Sequence, residues 1–303
     1  MSIAEVEERR LEQDTPGGGL WSEAWRRLRH NKAALVGFGI IGTFVFVAIF
    51  APLLAPYDPL EQDLSLIQAG CCPGPSLEHP LGVDPLGRDE LSRIIYGARY
   101  SLVIGVVSVI VGLSIGTVLG AIAGFVGGKV DTLIMRAMDI MLAIPGLLLA
   151  IGLVAILGQG LWQIMLAVGI VNVPIFTRLM RGAVLGQRHN DYVLAARTVG
   201  VPRFQILTAH VLPNSISPVI VQGTLALATA IIDVAGLGFL GLGPQDPSTP
   251  EWGTMLTDTV RYLQTAPHLA IFPGIAIVIT VLGFNLIGDG LREALDPKLE
   301  GAR

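Results

Sequence analysis

Few residues in this chain have the types and spacing for chemistry. Gly124 to Lys129 reads GFVGGK, the nearest approach to a loop that cradles phosphate with backbone N–H groups. Its glycines are wrongly spaced and no Ser or Thr follows the lysine to hold Mg²⁺, so it does not bind nucleotide. The sequence contains no HExxH or CxxC, and its five His are scattered. Cys71 and Cys72 are adjacent, and two Cys without clustered His do not make a metal site. Neighbouring Cα atoms lie about 3.8 Å apart, closer than the usual disulfide range, so a vicinal bond is strained. A bond to another chain, a vicinal bond and two free thiols are all open. Asp233 is the one acid deep in an apolar stretch, where a carboxylate costs at least about 2.5 kcal/mol. It must therefore face a cavity or a partner, either as part of a pathway or through a hydrogen bond to the nearby Gly-rich backbone. Arg136 and Asp139, three residues apart, read as a local pair on one helix. None of this amounts to enzymatic machinery.

The elements that carry these residues belong to a membrane. Over 303 residues the chain is 52% hydrophobic and 15% charged, with a mean hydropathy of +0.64. That is too apolar for a soluble domain and reads as an all-α polytopic membrane protein. A net charge of -4 argues against a nucleic-acid partner. Candidate spans are Leu35 to Leu54, Ser101 to Val126, Ile134 to Leu157, Leu161 to Thr177, Ile216 to Leu242 and Leu269 to Gly288. The first is longer than a signal-peptide core, so it is read as a retained span. With both termini inside, sixteen of the twenty Lys and Arg fall on the inner side. Arg88, Arg93, Arg99 and Arg261 are left outside, a strong positive-inside bias. The organisation is then a cytoplasmic tail (1–33), a first span with an outer loop (34–98), a five-span core (99–290) and a second cytoplasmic tail (291–303). In the first tail, Trp21, Trp25 and Leu28 can share one face against membrane lipid while Arg26, Arg27, Arg29 and Lys32 meet phosphates.

Within the spans, Gly112, Gly116, Gly120, Gly124 and Gly128 recur every four residues, with Gly105 and Ser108 close to the same stripe. A face so bare permits close helix contact in a bilayer, inside the core or with a second membrane protein. Pro145, Pro174, Pro218 and Pro273 fall one to a span and are expected to bend the last four helices.

Residues 186–214, GQRHNDYVLAARTVGVPRFQILTAHVLPN, interrupt the apolar pattern on the inner side without looking disordered. Tyr192, Ala195, Ala196 and Val199 recur at helical spacing. Gly200 sits where a helix ends left-handed and Pro202 where another begins. A second turn from Arg203 to His210 carries Phe204 and Leu207 before Leu212, Pro213 and Asn214 break it. Small residues flanked by Tyr192, Phe204 and Arg197 suit a lever gripped by another protein.

The order Ala195-Ala196, Gly200, Leu212-Pro213 resembles the "EAA" loop of ABC-type import permeases, with Leu194 where that motif has Glu. The form YVxAAxxxG is typical of the peptide and nickel branch. LGVDPLGRDELSRIIYGARYSL (Leu81 to Leu102), FLGLGPQDPSTPEWGTML (Phe239 to Leu256) and NLIGDGLREALDPKL (Asn285 to Leu299) resemble dipeptide and oligopeptide permeases of the C type. An extra first span with an outer loop distinguishes that type. The resemblance implies a type I importer fold in the cell inner membrane and no cofactor in this chain, with ATP and Mg²⁺ on partner subunits. It implies as partners a homologous B-type permease, two ATPase subunits docked on the 186–214 loop and an extracytoplasmic substrate-binding protein. Di- or oligopeptide is the implied cargo, ahead of chelated nickel because the spans hold no metal cluster. Two rivals from other classes are a stand-alone secondary transporter using Asp233 and a membrane scaffold without transport; no inverted repeat supports the first.

Overall fold

The computed structural model describes residues 20–67, 71–244, 246 and 249–295, and these are overwhelmingly helical. The amino-terminal end of the chain and DPKL at the far end lie outside the described residues, as do three positions of the 239–256 motif. The chain runs through α1 (Leu20–Leu28), α2 (Lys32–Ile49), α3 (Glu90–Val126), α4 (Gly128–Leu142), α5 (Gly146–Leu157), α6 (Leu161–Gln187), α7 (Asp191–Thr198), α8 (Ser217–Leu237), α9 (Trp252–Thr259) and α10 (His268–Ala294). Five of these helices are long and apolar enough to cross a membrane, and α4 with α5 makes a sixth crossing if the bent pair counts as one span.

α3 starts well before Ser101 because Asp89 caps it, its Oδ2 accepting from the Ser92 backbone N–H at 2.7 Å. Its 37 residues span about 55 Å, against about 30 Å of hydrocarbon. The stretch from Glu90 to Tyr100 therefore rises above the membrane while the apolar part from Ser101 crosses it.

The glycine stripe of α3 lies against α6, inside the core. A Cβ on Gly112 would stand 2.6 Å from the Gly169 carbonyl, and one on Gly116 would stand 2.5 Å from Phe176 Cβ. Gly120 and Gly124 meet the Thr177 and Arg181 carbonyls in the same way. Gly128 is not part of the seam: it starts α4 at φ +60°, with open space beside it.

Four expectations need correction. Ile134 to Leu157 is not one helix, since α4 and α5 meet at 94°. Pro145 occupies the N-cap of α5, where its lost N–H costs nothing to α5 and forbids continuation of α4. Pro218 sits in the first turn of α8 and leaves that helix unbent, whereas Pro174 and Pro273 do lie inside α6 and α10. Asp139 pairs with Arg178 of α6 at 2.6 Å rather than with Arg136, because α6 runs on to Gln187 and brings its basic end alongside α4. Finally, Leu28 does not share a lipid-facing side with Trp25. Ala24 and Leu28 are buried against Ala34 and Ala294, while Trp25 is exposed beneath Arg29, whose guanidinium lies 4.8 Å from the ring centroid; the Trp21 side chain lies outside the described residues.

The seam can be tested by refilling it. Gly116→Val forces a side chain onto the α6 backbone and is expected to destabilise the detergent-solubilised protein by about 1–3 kcal/mol or more. Gly152→Val, where a Cβ meets nothing within 4 Å, is expected to leave the thermal midpoint nearly unchanged.

Candidate functional site

The 186–214 segment is a folded hairpin welded to the core. α7 ends in a Schellman arrangement: the Val201 N–H donates to the Ala196 carbonyl at 3.0 Å and the Gly200 N–H to the Arg197 carbonyl at 3.1 Å. Gly200 takes φ +82° to close it. Pro202 caps the next turn, Arg203–Gln205, and the chain continues helically through the wider π turns of Ile206–Val211 into Leu212–Ser215. Leu212, Pro213 and Asn214 therefore do not break the second helix. Pro213 falls in the first turn of the last piece, where its missing N–H is tolerated.

Burial divides the hairpin into an anchor and a face. Val193 is 0% exposed and joins Ile206 and Val211 in the cluster that holds Met180 and Val184 of α6. Tyr192, Leu194, Ala195 and Val199 look outward, and Ala196 lies on the boundary. Val199 at 79% and Phe204 at 77% exposure flank the turn, an exposed apolar pair of the kind that marks a protein docking site. Arg197 and Arg203 are exposed beside them, Pro213 is exposed and Leu212 half-buried.

Polar ties fix the base. The Arg188 guanidinium donates to the Gly124 carbonyl at 3.0 Å, joining the ends of α3 and α6. Gln187 Oε1 accepts from the Tyr192 hydroxyl and from Asn190 Nδ2, both at 2.8 Å. Arg181 clasps Asp131 of α4 through two N–H donors at 2.5 and 2.7 Å.

At the opposite end, a site that the sequence reading missed gathers Asp84, Arg88, Asp89, Glu90 and Arg93, all buried. Asp84 Oδ2 takes Arg88 Nη2 at 2.6 Å and Arg93 Nε at 3.4 Å. Asp89 accepts from the Ser92 hydroxyl at 2.7 Å and lies 2.9 Å from His79 Nδ1. α9 lies across this end of α3. Glu251 caps it through the Gly253 and Thr254 N–H groups, each 2.8 Å away; burial pushes its carboxyl above the usual range while those bonds pull it back. Trp252 fits over Gly97 and donates from Nε1 to the Ile94 carbonyl at 3.1 Å. The only advance signal was charge density in DPLGRDELSR.

Asp233 is half-buried on α8, and no hydrogen bond or ion pair reaches it among the described residues, so the backbone bond considered for it does not form. Cys71 and Cys72 are bonded to each other, with Cys71 at φ 79° and Cys72 buried against Ala266 and Leu269.

Residues 116–301 match the family described as the inner membrane component of binding-protein-dependent transport systems, and residues 19–70 the N-terminal membrane domain of oligopeptide transport permease C. A dipeptide transport system permease protein of Alkalihalophilus pseudofirmus is 50% identical over 92% of this chain and 90% of its own length. A glutathione transport system permease protein of Salmonella typhimurium is 49% identical over 93% and 91%. A solved inward-facing methionine ABC transporter matches 68% of this chain and 97% of its own at a TM-score of 0.57 and 20% identity, a likeness of fold.

The anchor and the face should respond differently to substitution. Val193→Asp buries an unpaired charge and is expected to cost at least about 2–3 kcal/mol, read as a lower thermal midpoint in detergent. Phe204→Ser is expected to stay within about 0.5 kcal/mol of wild type.

Proposed function

The chain belongs to the inner-membrane components of binding-protein-dependent transport systems, in the C-type oligopeptide permease branch, and we propose that it forms half of an ATP-driven import pathway for short peptides. It is a multi-pass permease subunit rather than an enzyme. Similar proteins are described as carriers of dipeptides, di- and tripeptides and glutathione. The chemistry these share, a short peptide backbone, is the cargo class proposed here.

The observation that carries the mechanism is the rigid hairpin with an outward apolar face. ATPase subunits, holding ATP and Mg²⁺, would grip Tyr192, Ala195, Val199 and Phe204, with Arg197 and Arg203 at the rim. A second, B-type permease would supply the other half of the pathway, and an external binding protein would deliver cargo. Both termini are cytoplasmic in this reading, which the Lys and Arg distribution supports. Because Val193, Ile206 and Val211 sit in the α3–α6 core, movement of the hairpin is movement of those helices. The work comes from differential contact: the ATP-bound motor must hold the hairpin otherwise than the empty one does. Asp233 is proposed to face the pathway, since a half-buried carboxylate without a partner is not tolerated against lipid.

Ala195→Asp puts a charge on the gripped face without touching the anchor. The assembled transporter is expected to remain inserted and lose at least about 10-fold in ATP-driven peptide uptake, equivalent to about 1.4 kcal/mol of coupling. Undiminished uptake with ATPase subunits copurifying at the wild-type ratio would refute the grip.

A further inference from the structure

The outer charged cluster contains a group that neither folding contacts nor cargo transport explains. Glu90 is 2% exposed, and no hydrogen bond reaches its carboxyl among the described residues. The side chain lines a small cavity of about 10 Å³ shared with Asp84, Pro85, Arg93, Met255, Thr259 and Leu269, the lower limit for a single water. Three elements meet there: the outer end of α3 with its preceding loop, α9, and the first turn of α10.

Charge balance shows which form of Glu90 this packing accepts. Asp84, Asp89 and Glu90 are three carboxyl groups facing two guanidinium groups, Arg88 and Arg93. Both guanidinium groups are engaged by Asp84, and Asp89 has the α3 N-terminus and His79. An ionised Glu90 would thus leave the buried cluster one negative charge in excess when His79 is neutral. Burial without a counter-ion of its own disfavours that form. From α9 the cavity receives apolar Met255 and Thr259, whose hydroxyl is committed to the Leu256 carbonyl at 2.8 Å. Glu251 is turned to its own helix cap, and the Asp258 side chain lies outside the described residues. From α10, His268 packs on Gly82.

We propose that Glu90 is a proton-binding site of the outer face, and that releasing its proton loosens α9 from the end of α3. In the packed form the carboxyl is neutral. Ionisation adds a charge that only water can satisfy, and the cavity has no room for a hydration shell unless Met255 and Thr259 withdraw. The packed form is therefore kept at low pH and lost as pH rises through ionisation of Glu90. This holds whatever the chain transports.

The test is amide hydrogen exchange of the full chain in lipid nanodiscs at about pH 6 and about pH 9, either side of the range in which a buried carboxyl titrates. Rates are corrected for intrinsic exchange, and α7 serves as an internal control. In wild type, protection over 252–259 is expected to fall about 10-fold at the higher pH while α7 is unchanged. In Glu90→Gln, which stays neutral, protection should hold at both values. Glu90→Met, of similar length, is read in the same way if the Gln variant does not insert. A wild type insensitive to pH would overturn the proposal, as would a variant that loses protection as wild type does, which would assign the effect to Glu251, Asp258 or His268.

Discussion

Backbone-to-backbone contact between α3 and α6 is the constraint on which the other features hang. At Gly112, Gly116, Gly120 and Gly124 the space for a side chain is already taken by the α6 backbone or by its Cβ atoms. In a bilayer, where lipid tails are as apolar as Leu, such intimate contact is the main source of helix affinity. The seam also has consequences at both ends. α3 begins in the charged cluster and ends at Val126, two residues past Gly124, whose carbonyl is held by Arg188, at the base of the hairpin. A single close-packed pair thus runs from the charged cluster at one end to the hairpin at the other.

The hairpin uses that stiffness. Exposed loops ordinarily move on their own, but here Val193, Ile206 and Val211 are part of the same core as Met180 and Val184. Force applied at Val199 or Phe204 therefore reaches α6 directly. α4, which meets α5 at 94°, is tied to α6 by the Asp131–Arg181 and Asp139–Arg178 pairs.

Hydropathy made the spans legible because membrane burial is written in long apolar runs. The hairpin was legible because Gly200 and Pro202 carry conformations few other residues supply. What hydropathy does not encode is direction, so the 94° turn at Pro145 went unread inside a continuous apolar run. Asp139 was assigned a neighbour by spacing, while its partner Arg178 lies on a helix whose end runs past the apolar stretch. The break expected at Leu212 to Asn214 failed because a proline in a first turn loses nothing. The five charged residues from Asp84 to Arg93 fell in the outer loop of the sequence reading, and their burial depends on α9 and the start of α10, brought in from far along the chain.

The hairpin and the α3–α6 pair are proposed to move as one body. Pulsed electron-spin distances between labels at Val126 and Thr208, an exposed hairpin position outside the gripped residues, in the assembled transporter with Cys71 and Cys72 replaced by Ala, decide the point. The same distance distribution in nucleotide-free and ATP-trapped states is the predicted result. A distribution that shifts between those states would mean that the hairpin swings on its own and is no rigid part of the α3–α6 pair.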